Sequence, residues 1–559
     1  MGGAANAEGL RGLTLACGAL GRFDRSVVHR ITAALSEDLG EVYRDERSVL
    51  FLDRPALRWE SGASAGVGWA ESANPVDTAR VSGWLDASRE GMLGLAGEGR
   101  DHVLHSSISG AAPLYWGEHN GAVYFSTRLD ALVRALPGQL APDWSAWASI
   151  LTLGYALAAL TPFAGIHRLE PCSRVIAGES GTRTEVASWP WAQVEASLSA
   201  AEGVGAVTEL LREQIGSYPS GPCVCPLTGG WDSRMLLCLL RERGEPVTAW
   251  TINSDTGDDS EEALSQPVAA ELGVEHVIVP PSPEQAFLAE ARESMHATEW
   301  QSSWKLRMLR LSAAIGPRRD LHFDGLAGDW LKTSFTTAET LHQPGSRANL
   351  PWDRFAAVDL RHPILRKPVA AALASEARTV FDRVVEPYHG HPAAGSLALI
   401  RVRTPREIGP APTELHAAAR PLALPFLADR ITTAALSVRF EDKLDFGLYS
   451  KVFDLVAPAV GRLPTVKRPD PARPPSPRAR SRRSEAANAA YLTLLDSHPL
   501  RPWFSRGLRR AIRSGEMTPF LRSPRHARTL EALCAFGEWH RRYDSRLGEL
   551  DLPTLERQA

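Results

Sequence analysis

One short segment constrains the fold more than any other: Pro226-Leu227-Thr228-Gly229-Gly230-Trp231-Asp232-Ser233-Arg234. The residues from Pro222 to Leu227 read as a buried strand, the paired glycines as a turn, and Arg234 to Arg243 as a helix that follows at once. Gly229 and Gly230 have access to backbone angles closed to other residues and let the main chain approach a ligand closely. Thr228 and Ser233 bring hydroxyls, and the helix start presents N–H groups at its positive end. The combination is a cradle for an anion such as pyrophosphate. Asp232, set among anion-binding groups, has a purpose there if a Mg²⁺ bridges it to the phosphates. The competing reading, a tight turn without a ligand, does not call for this spacing of glycines, hydroxyls and acid.

A second segment has the same shape. Leu321 to Asp324 reads as a strand, followed by Gly325-Leu326-Ala327-Gly328-Asp329. Between the two segments lie a strand from Pro246 to Ile252, a helix from Glu261 to Leu272 and a strand from His276 to Val279. This alternation predicts a doubly wound parallel sheet, in which neighbouring strand ends meet over one crevice. Asp329 is therefore expected beside Asp232 as a second metal ligand. Asp324 reads as a turn-former.

At 559 residues the chain exceeds one hydrophobic core, so an α/β multidomain protein is expected. Residues 1–195 read as short strands and turns, among them a hairpin from Tyr115 to Phe125 with Asn120-Gly121 at its turn. Residues 196–559 carry the alternating pattern and, after about residue 375, mainly helices. Within them Pro469 to Ser484, rich in Pro and Arg, reads as a mobile loop. A net charge of −3 gives no reason to expect nucleic acid or a membrane surface as a partner. No apolar run approaches the roughly 20 residues of a spanning helix, and Trp147 to Leu160 reads as a core helix. The six cysteines lack zinc-type spacing. Cys223 and Cys225 fall on one face of a strand as small core residues, and a cytoplasmic location is expected.

The two glycine-containing segments are where the chain resembles a known family. Thr228 to Ser233 resembles the pyrophosphate loop of the asparagine synthetase family, usually Ser-Gly-Gly-x-Asp-Ser, and Asp324 to Leu331 resembles its second, magnesium-holding loop. Pro113-Leu114-Tyr115-Trp116 with Phe125-Ser126 is similar to the end of that family's glutaminase domain. Gly165-Ile166-His167-Arg168-Leu169-Glu170-Pro171 is similar to its interdomain connector, and Pro425-Phe426-Leu427-Ala428-Asp429 to a marker of its helical region. The resemblance implies an N-terminal glutaminase-like β-sandwich of the Ntn type over 1–195 and an ATP-pyrophosphatase synthetase domain with added helices over 196–559. It implies ATP and Mg²⁺ as cofactors. Thr228, Gly229, Gly230, Trp231, Asp232, Ser233 and Gly325 would then hold the ATP phosphates, Asp232 and Asp329 the metal, and Thr251 and Ile252 the adenosine.

The chain also departs from that pattern. Glutamine-dependent members use an N-terminal cysteine, but position 2 here is Gly2, and Cys17-Gly18-Ala19-Leu20-Gly21 follows sixteen other residues. The family's Arg-Gly-Pro-Asp and Asn-Gly-Glu segments have no counterpart, so the first domain reads as a structural relic. Leu326 stands where asparagine synthetases carry Glu. Gly-Gly-Trp-Asp-Ser-Arg is most similar to the lasso peptide cyclases of the family, which adenylate a side-chain carboxylate of a core peptide and close a macrolactam. That resemblance implies a precursor peptide as partner, with a leader-recognition protein and a leader peptidase nearby. A β-lactam synthetase-like or asparagine synthetase-like ligase with a small substrate is the alternative. Of the six lysines, Lys467 follows Leu463-Pro464 and is the candidate catalytic cation, or else an exposed charge at a linker start. Trp300, Ser302, Ser303 and Trp304 are candidates for the substrate cavity, with core aromatics the equal alternative.

Overall fold

The computed structural model describes residues 16–21, 25–34, 40–44, 48–52, 58–61, 64–67, 93–98, 101–179, 181–186, 189–252, 260–280, 283–317, 320–332, 352, 364–416, 421–465, 485–521 and 524–550. Gly2, Lys467 and the 469–484 segment lie outside the described residues.

The first part of the chain forms β1 (Ala16–Gly21), β2 (Gly40–Arg44), β3 (Ser48–Leu52), β4 (Arg58–Ser61), β5 (Ser64–Val67), β6 (Leu93–Glu98), β7 (Asp101–His105), β8 (Tyr115–His119), β9 (Ala122–Ser126), β10 (Ile166–Arg168), β11 (Ser173–Gly178) and β12 (Gly181–Val186). They pair antiparallel in two sheets, ordered β10-β8-β9-β1-β3-β2 and β12-β11-β7-β6-β5-β4. Period-two alternation sorts the first sheet's side chains. Leu20, Leu50, Val123 and Phe125 share a core with Leu104 and Val175 of the second sheet. Cys17, Ala19, Val49, Phe51 and Tyr124 pack on the other side, with α1 (Arg25–Ala34), α2 (Leu129–Ala135) and the C-terminal helix Pro524–Tyr543. The β8–β9 hairpin is as expected. His119 pairs with Ala122, and the turn residues Asn120 and Gly121 have φ of 52° and 78°, which a two-residue turn of this twist requires.

The expected helix from Trp147 to Leu160 is instead α3 (Trp144–Leu153). The Asp143 side chain accepts the Ala146 N–H at 2.9 Å, and Gly154, with φ of 90°, stops the helix seven residues early. A capping box between Ser199 and Glu202 opens α4 (Ala200–Ser217), where the sequence pattern changes.

From there the chain builds a second architecture. β13 (Cys223–Pro226), α5 (Asp232–Arg243), β14 (Val247–Ile252), α6 (Ser260–Leu272), β15 (Glu275–Val279), α7 (Phe287–Ala297), α8 (Leu306–Ile315), β16 (Leu321–Phe323) and β17 (Leu422–Ala423) follow in order. All five strands run parallel, in the order β15-β14-β13-β16-β17. Chain direction across the sheet reverses between β13 and β16, which puts a crevice at their carboxyl ends. Cys223, Val224 and Cys225 are all buried, so β13 is covered on both faces, as a buried strand requires. Among the described residues no helix is long and apolar enough to cross a membrane.

Candidate functional site

The β13–α5 turn and the loop after β16 meet at this crevice. Helix α5 begins at Asp232, two residues before the sequence reading, so Asp232 and Ser233 occupy its first turn. Thr228 is held by Ser233: its N–H donates to Ser233 Oγ at 3.1 Å, and the two hydroxyls lie 3.1 Å apart. The Gly230 N–H donates to Thr228 Oγ1 at 3.1 Å. The Gly229 N–H donates to the Glu261 carboxylate of α6 at 2.5 Å. A main-chain amide of the loop thus already binds an anionic oxygen. The special backbone angles expected of the glycines are not used. Neither Gly229 nor Gly230 has positive φ, and a Cβ on Gly230 would lie 3.3 Å from Thr228 Oγ1. At Gly230 it is space, rather than left-handed backbone, that the missing side chain supplies.

In the second loop Ala327 takes φ of 71° and the turn Gly328–Leu331 follows. Asp324 is the turn-former expected: its Oδ1 accepts the Leu326 N–H at 2.9 Å, and burial pushes its carboxyl up to about 6. The loop is pressed against α5. A Cβ on Gly325 would lie 3.1 Å from Asp232 Cβ, and one on Gly328 would lie 2.5 Å from Asp232 Cγ and 2.7 Å from the Tyr449 hydroxyl.

Asp232 and Asp329 come together over one cation, Lys332. Its Nζ is 3.3 Å from Asp232 Oδ2 and 3.0 Å from Asp329 Oδ1. The Tyr449 hydroxyl donates to Asp232 Oδ1 and lies 3.1 Å from the Gly328 carbonyl oxygen. Burial raises the Asp232 carboxyl, with Lys332 and Tyr449 opposing it. Burial also opposes charge on Lys332, but the two carboxylates outweigh it and keep the ammonium charged. Two carboxylates converging on a cation beside main-chain amides form an oxygen donor set suited to Mg²⁺, which phosphate and water oxygens would complete. Among the described residues no group of three or more acids, histidines or cysteines could hold a metal by itself.

Other expected site residues fall in different places. Thr251 and Ile252 end β14 beside β13, but the Thr251 hydroxyl is bonded to Leu227 O and His276 Nε2, both at 2.8 Å. Ile252 packs with Val224, Trp250 and Val279. The Trp231 indole is buried in an aromatic cluster, stacked on Phe446 at 5.6 Å and 13°, with Tyr449 at 5.8 Å and Phe453 at 5.1 Å. Trp300 and Trp304 are buried core residues. They pack on Tyr543 and Tyr491 in the core that holds Cys17, separate from the core under the two loops. Ser302 is buried and bridges to Tyr155, and Ser303 Oγ is 3.3 Å from Glu407 Oε1. A cavity of about 700 Å³ lies elsewhere, between Trp189, Glu170, Tyr388 and Arg401, and neither loop lines it.

Sequence reasoning missed Lys332, Tyr449 and Glu261. Lys332 stands three residues after Asp329, a spacing that brings side chains together only once that segment turns helical. Arg234 was expected as the start of the helix and as the end of the Gly-Gly-Trp-Asp-Ser-Arg motif. Its guanidinium is buried and donates to Leu264 O at 3.2 Å and Pro464 O at 2.6 Å. It thereby fastens the Leu463-Pro464 pair to the loop helix. Cys17 is fully buried mid-strand, paired with Phe51 and Ser126, and burial pushes its thiol up to about 12.

Residues 207–449, from within α4 to Tyr449, match the asparagine synthase family. No curated protein sequence matches the chain significantly. Among solved structures, NMN synthetase from Francisella tularensis matches at 23% identity over 24% of this chain and 58% of its own, with a TM-score of 0.19. Glutamine phosphoribosylpyrophosphate amidotransferase from B. subtilis, complexed with ADP and GMP, matches at 11% identity over 57% of this chain and 77% of its own, with a TM-score of 0.19. A structure titled as the allosteric regulatory enzyme of purine biosynthesis matches at 11% identity over 48% and 81%, with a TM-score of 0.20.

Proposed function

Starting from the match of residues 207–449 to the asparagine synthase family, we propose that this chain is an ATP-dependent carbon–nitrogen ligase that activates a carboxylate as its acyl-AMP and forms an amide. The observation that carries the reading is the convergence of Asp232 and Asp329 on one cation beside the Thr228–Ser233 loop. A substrate carboxylate oxygen attacks the α-phosphorus of ATP, and pyrophosphate leaves. An amine then attacks the acyl carbon, loses its proton, and AMP leaves. Asp232 and Asp329 would hold Mg²⁺, which, when bound, neutralises charge on the leaving pyrophosphate. The amides of Gly229 and Gly230 and the hydroxyls of Thr228 and Ser233 bind pyrophosphate oxygens. Lys467, two residues past the described Thr465, is the proposed cation for the second step. The anchoring of Leu463-Pro464 by Arg234 supports a position near the loop for the segment before it.

More narrowly, we propose macrolactam closure of a lasso precursor peptide, with the peptide's own amine as nucleophile. The Gly-Gly-Trp-Asp-Ser-Arg motif supports this. So does the buried Cys17 thiol, which is unsuited to releasing ammonia from glutamine. An amine carried on the substrate also replaces a bimolecular encounter and lowers the barrier by several kcal/mol. A leader-recognition protein and a leader peptidase are the proposed partners, and the cytoplasm the proposed location.

The test is incubation with Mg²⁺, ATP and a candidate precursor peptide. AMP, pyrophosphate and a peptide lighter by one water are expected. Asp232→Ala and Asp329→Ala should each abolish AMP formation. Normal turnover in either variant refutes the site assignment, and AMP formation only with small carboxylates replaces the peptide reading with a small-substrate ligase.

A further inference from the structure

Two charged side chains sit where the two halves of a metal–polyphosphate ligand would be held. The Lys332 ammonium spans the acids, 3.3 Å from Asp232 Oδ2 and 3.0 Å from Asp329 Oδ1. The Glu261 carboxylate accepts the Gly229 N–H at 2.5 Å. A cation thus rests on the acids and an anion on the anion-binding amide. The second oxygen of Asp232 is bound by Tyr449.

We propose that Lys332 and Glu261 are resident counter-ions of this site, displaced jointly by a divalent cation and a polyphosphate, so that each ligand binds well only in the company of the other. The proposal rests on the ligase reading above. A divalent cation arriving alone meets carboxylates already paired with an ammonium. Lys332 is only 22% exposed, so if it stays it repels the newcomer, and if it leaves it gives up two partners at once. A polyphosphate arriving alone competes with Glu261 for the Gly229 amide and meets its charge at close range. When both arrive together the cation takes the acids, phosphate oxygens take the amide, and the displaced ammonium gains phosphate charge as a new partner. Coupling of this kind is reciprocal and typically amounts to about 5- to 150-fold in affinity.

The experiment uses the full chain, Mn²⁺ as a paramagnetic probe titrated by EPR, and a non-hydrolysable ATP analogue. In the wild type, Mn²⁺ alone should bind weakly and the analogue should tighten it within the about 5- to 150-fold range. Lys332→Met should bind Mn²⁺ alone about tenfold more tightly and show little further gain from the analogue, whereas Lys332→Arg, which keeps the cation, should resemble the wild type. Glu261→Gln should bind inorganic pyrophosphate alone more tightly by a similar factor. A folded Lys332→Met that binds Mn²⁺ no better than the wild type overturns the proposal. If it does so while the wild type still forms AMP from ATP, the ligase reading stands. If neither Mn²⁺ nor the analogue binds any of the proteins, both fall.

Discussion

Gly328 is the residue on which the site's geometry depends most directly, because its hydrogen is all that fits beside Asp232 and Tyr449. Gly328→Ala should push the Asp232 carboxylate away from Asp329 and lower AMP formation about 10²-fold, with an unchanged far-UV circular dichroism spectrum. A Gly328→Ala enzyme of normal rate would show that the two acids need not be held so closely. Cys17→Ala, in contrast, should leave turnover intact and cost on the order of 1 kcal/mol in a urea titration, since it removes only buried packing. At this scale the acids were legible and their partners were not. Asp232 and Asp329 each end a strand–turn pattern, and adjacent strands of a doubly wound sheet bring such ends together. Lys332, Tyr449 and Glu261 belong to no such pattern. Tyr449 is 121 residues from the Gly328 carbonyl it approaches, a contact that only tertiary packing creates.

Helix α5 does more than begin at the loop. Through Arg234 it holds the carbonyls of Leu264, Leu463 and Pro464, so one guanidinium joins the β13–α5 turn, α6 and the segment that ends at Thr465. Arg234→Lys keeps the charge but loses the fork that reaches several carbonyls at once. It should lose about 1.5–3 kcal/mol of stability in a urea titration and reduce turnover even at temperatures where the variant stays fully folded. Elements with a clear period were readable: the β8–β9 hairpin, β13 to β15, α5 and α6 all lie where the sequence puts them, within a few residues. β17 is only two residues long and has no period to detect. The wide helical turns at Leu399–Ile408 and Ala411–His416 leave no distinct pattern either, and Pro405 within the first argues locally against any helix.

Across the whole molecule, buried arginines join the strand-rich part to the helical part. Arg168 donates to Pro405 O at 3.1 Å, Arg401 to Pro171 O at 2.9 Å, and Arg406 to Ala156 O at 2.9 Å. The alternation of strands and helices after about residue 200 was legible, but not that Phe536 and Trp539 of the last helix share a core with Cys17. That helix also explains an expected acid sensitivity. His498 is wedged beneath it, with Nε2 2.8 Å from Leu533 O and Nδ1 accepting the Leu500 N–H at 3.1 Å. Burial lowers its pKa from 6.5 to about 4, and a second proton would set Nδ1–H against the Leu500 N–H. Because the unfolded chain takes up this proton first, stability is full above 6.5, falls as pH drops towards 4, and is constant in this respect below that. The loss should be on the order of 3 kcal/mol, seen as a falling Tm that His498→Gln flattens.

Each of the two acid-bearing loops has a tryptophan next to its aspartate. Trp231 precedes Asp232 and lies against Phe446 and Phe453, and Trp330 follows Asp329 and meets Trp191 edge-on at 5.3 Å. A main-chain shift at either aspartate is passed directly to the indole-bearing residue bonded to it. The protein therefore carries its own optical gauge of the crevice, and its ultraviolet emission should report occupancy without a dye, a label or a coupled assay.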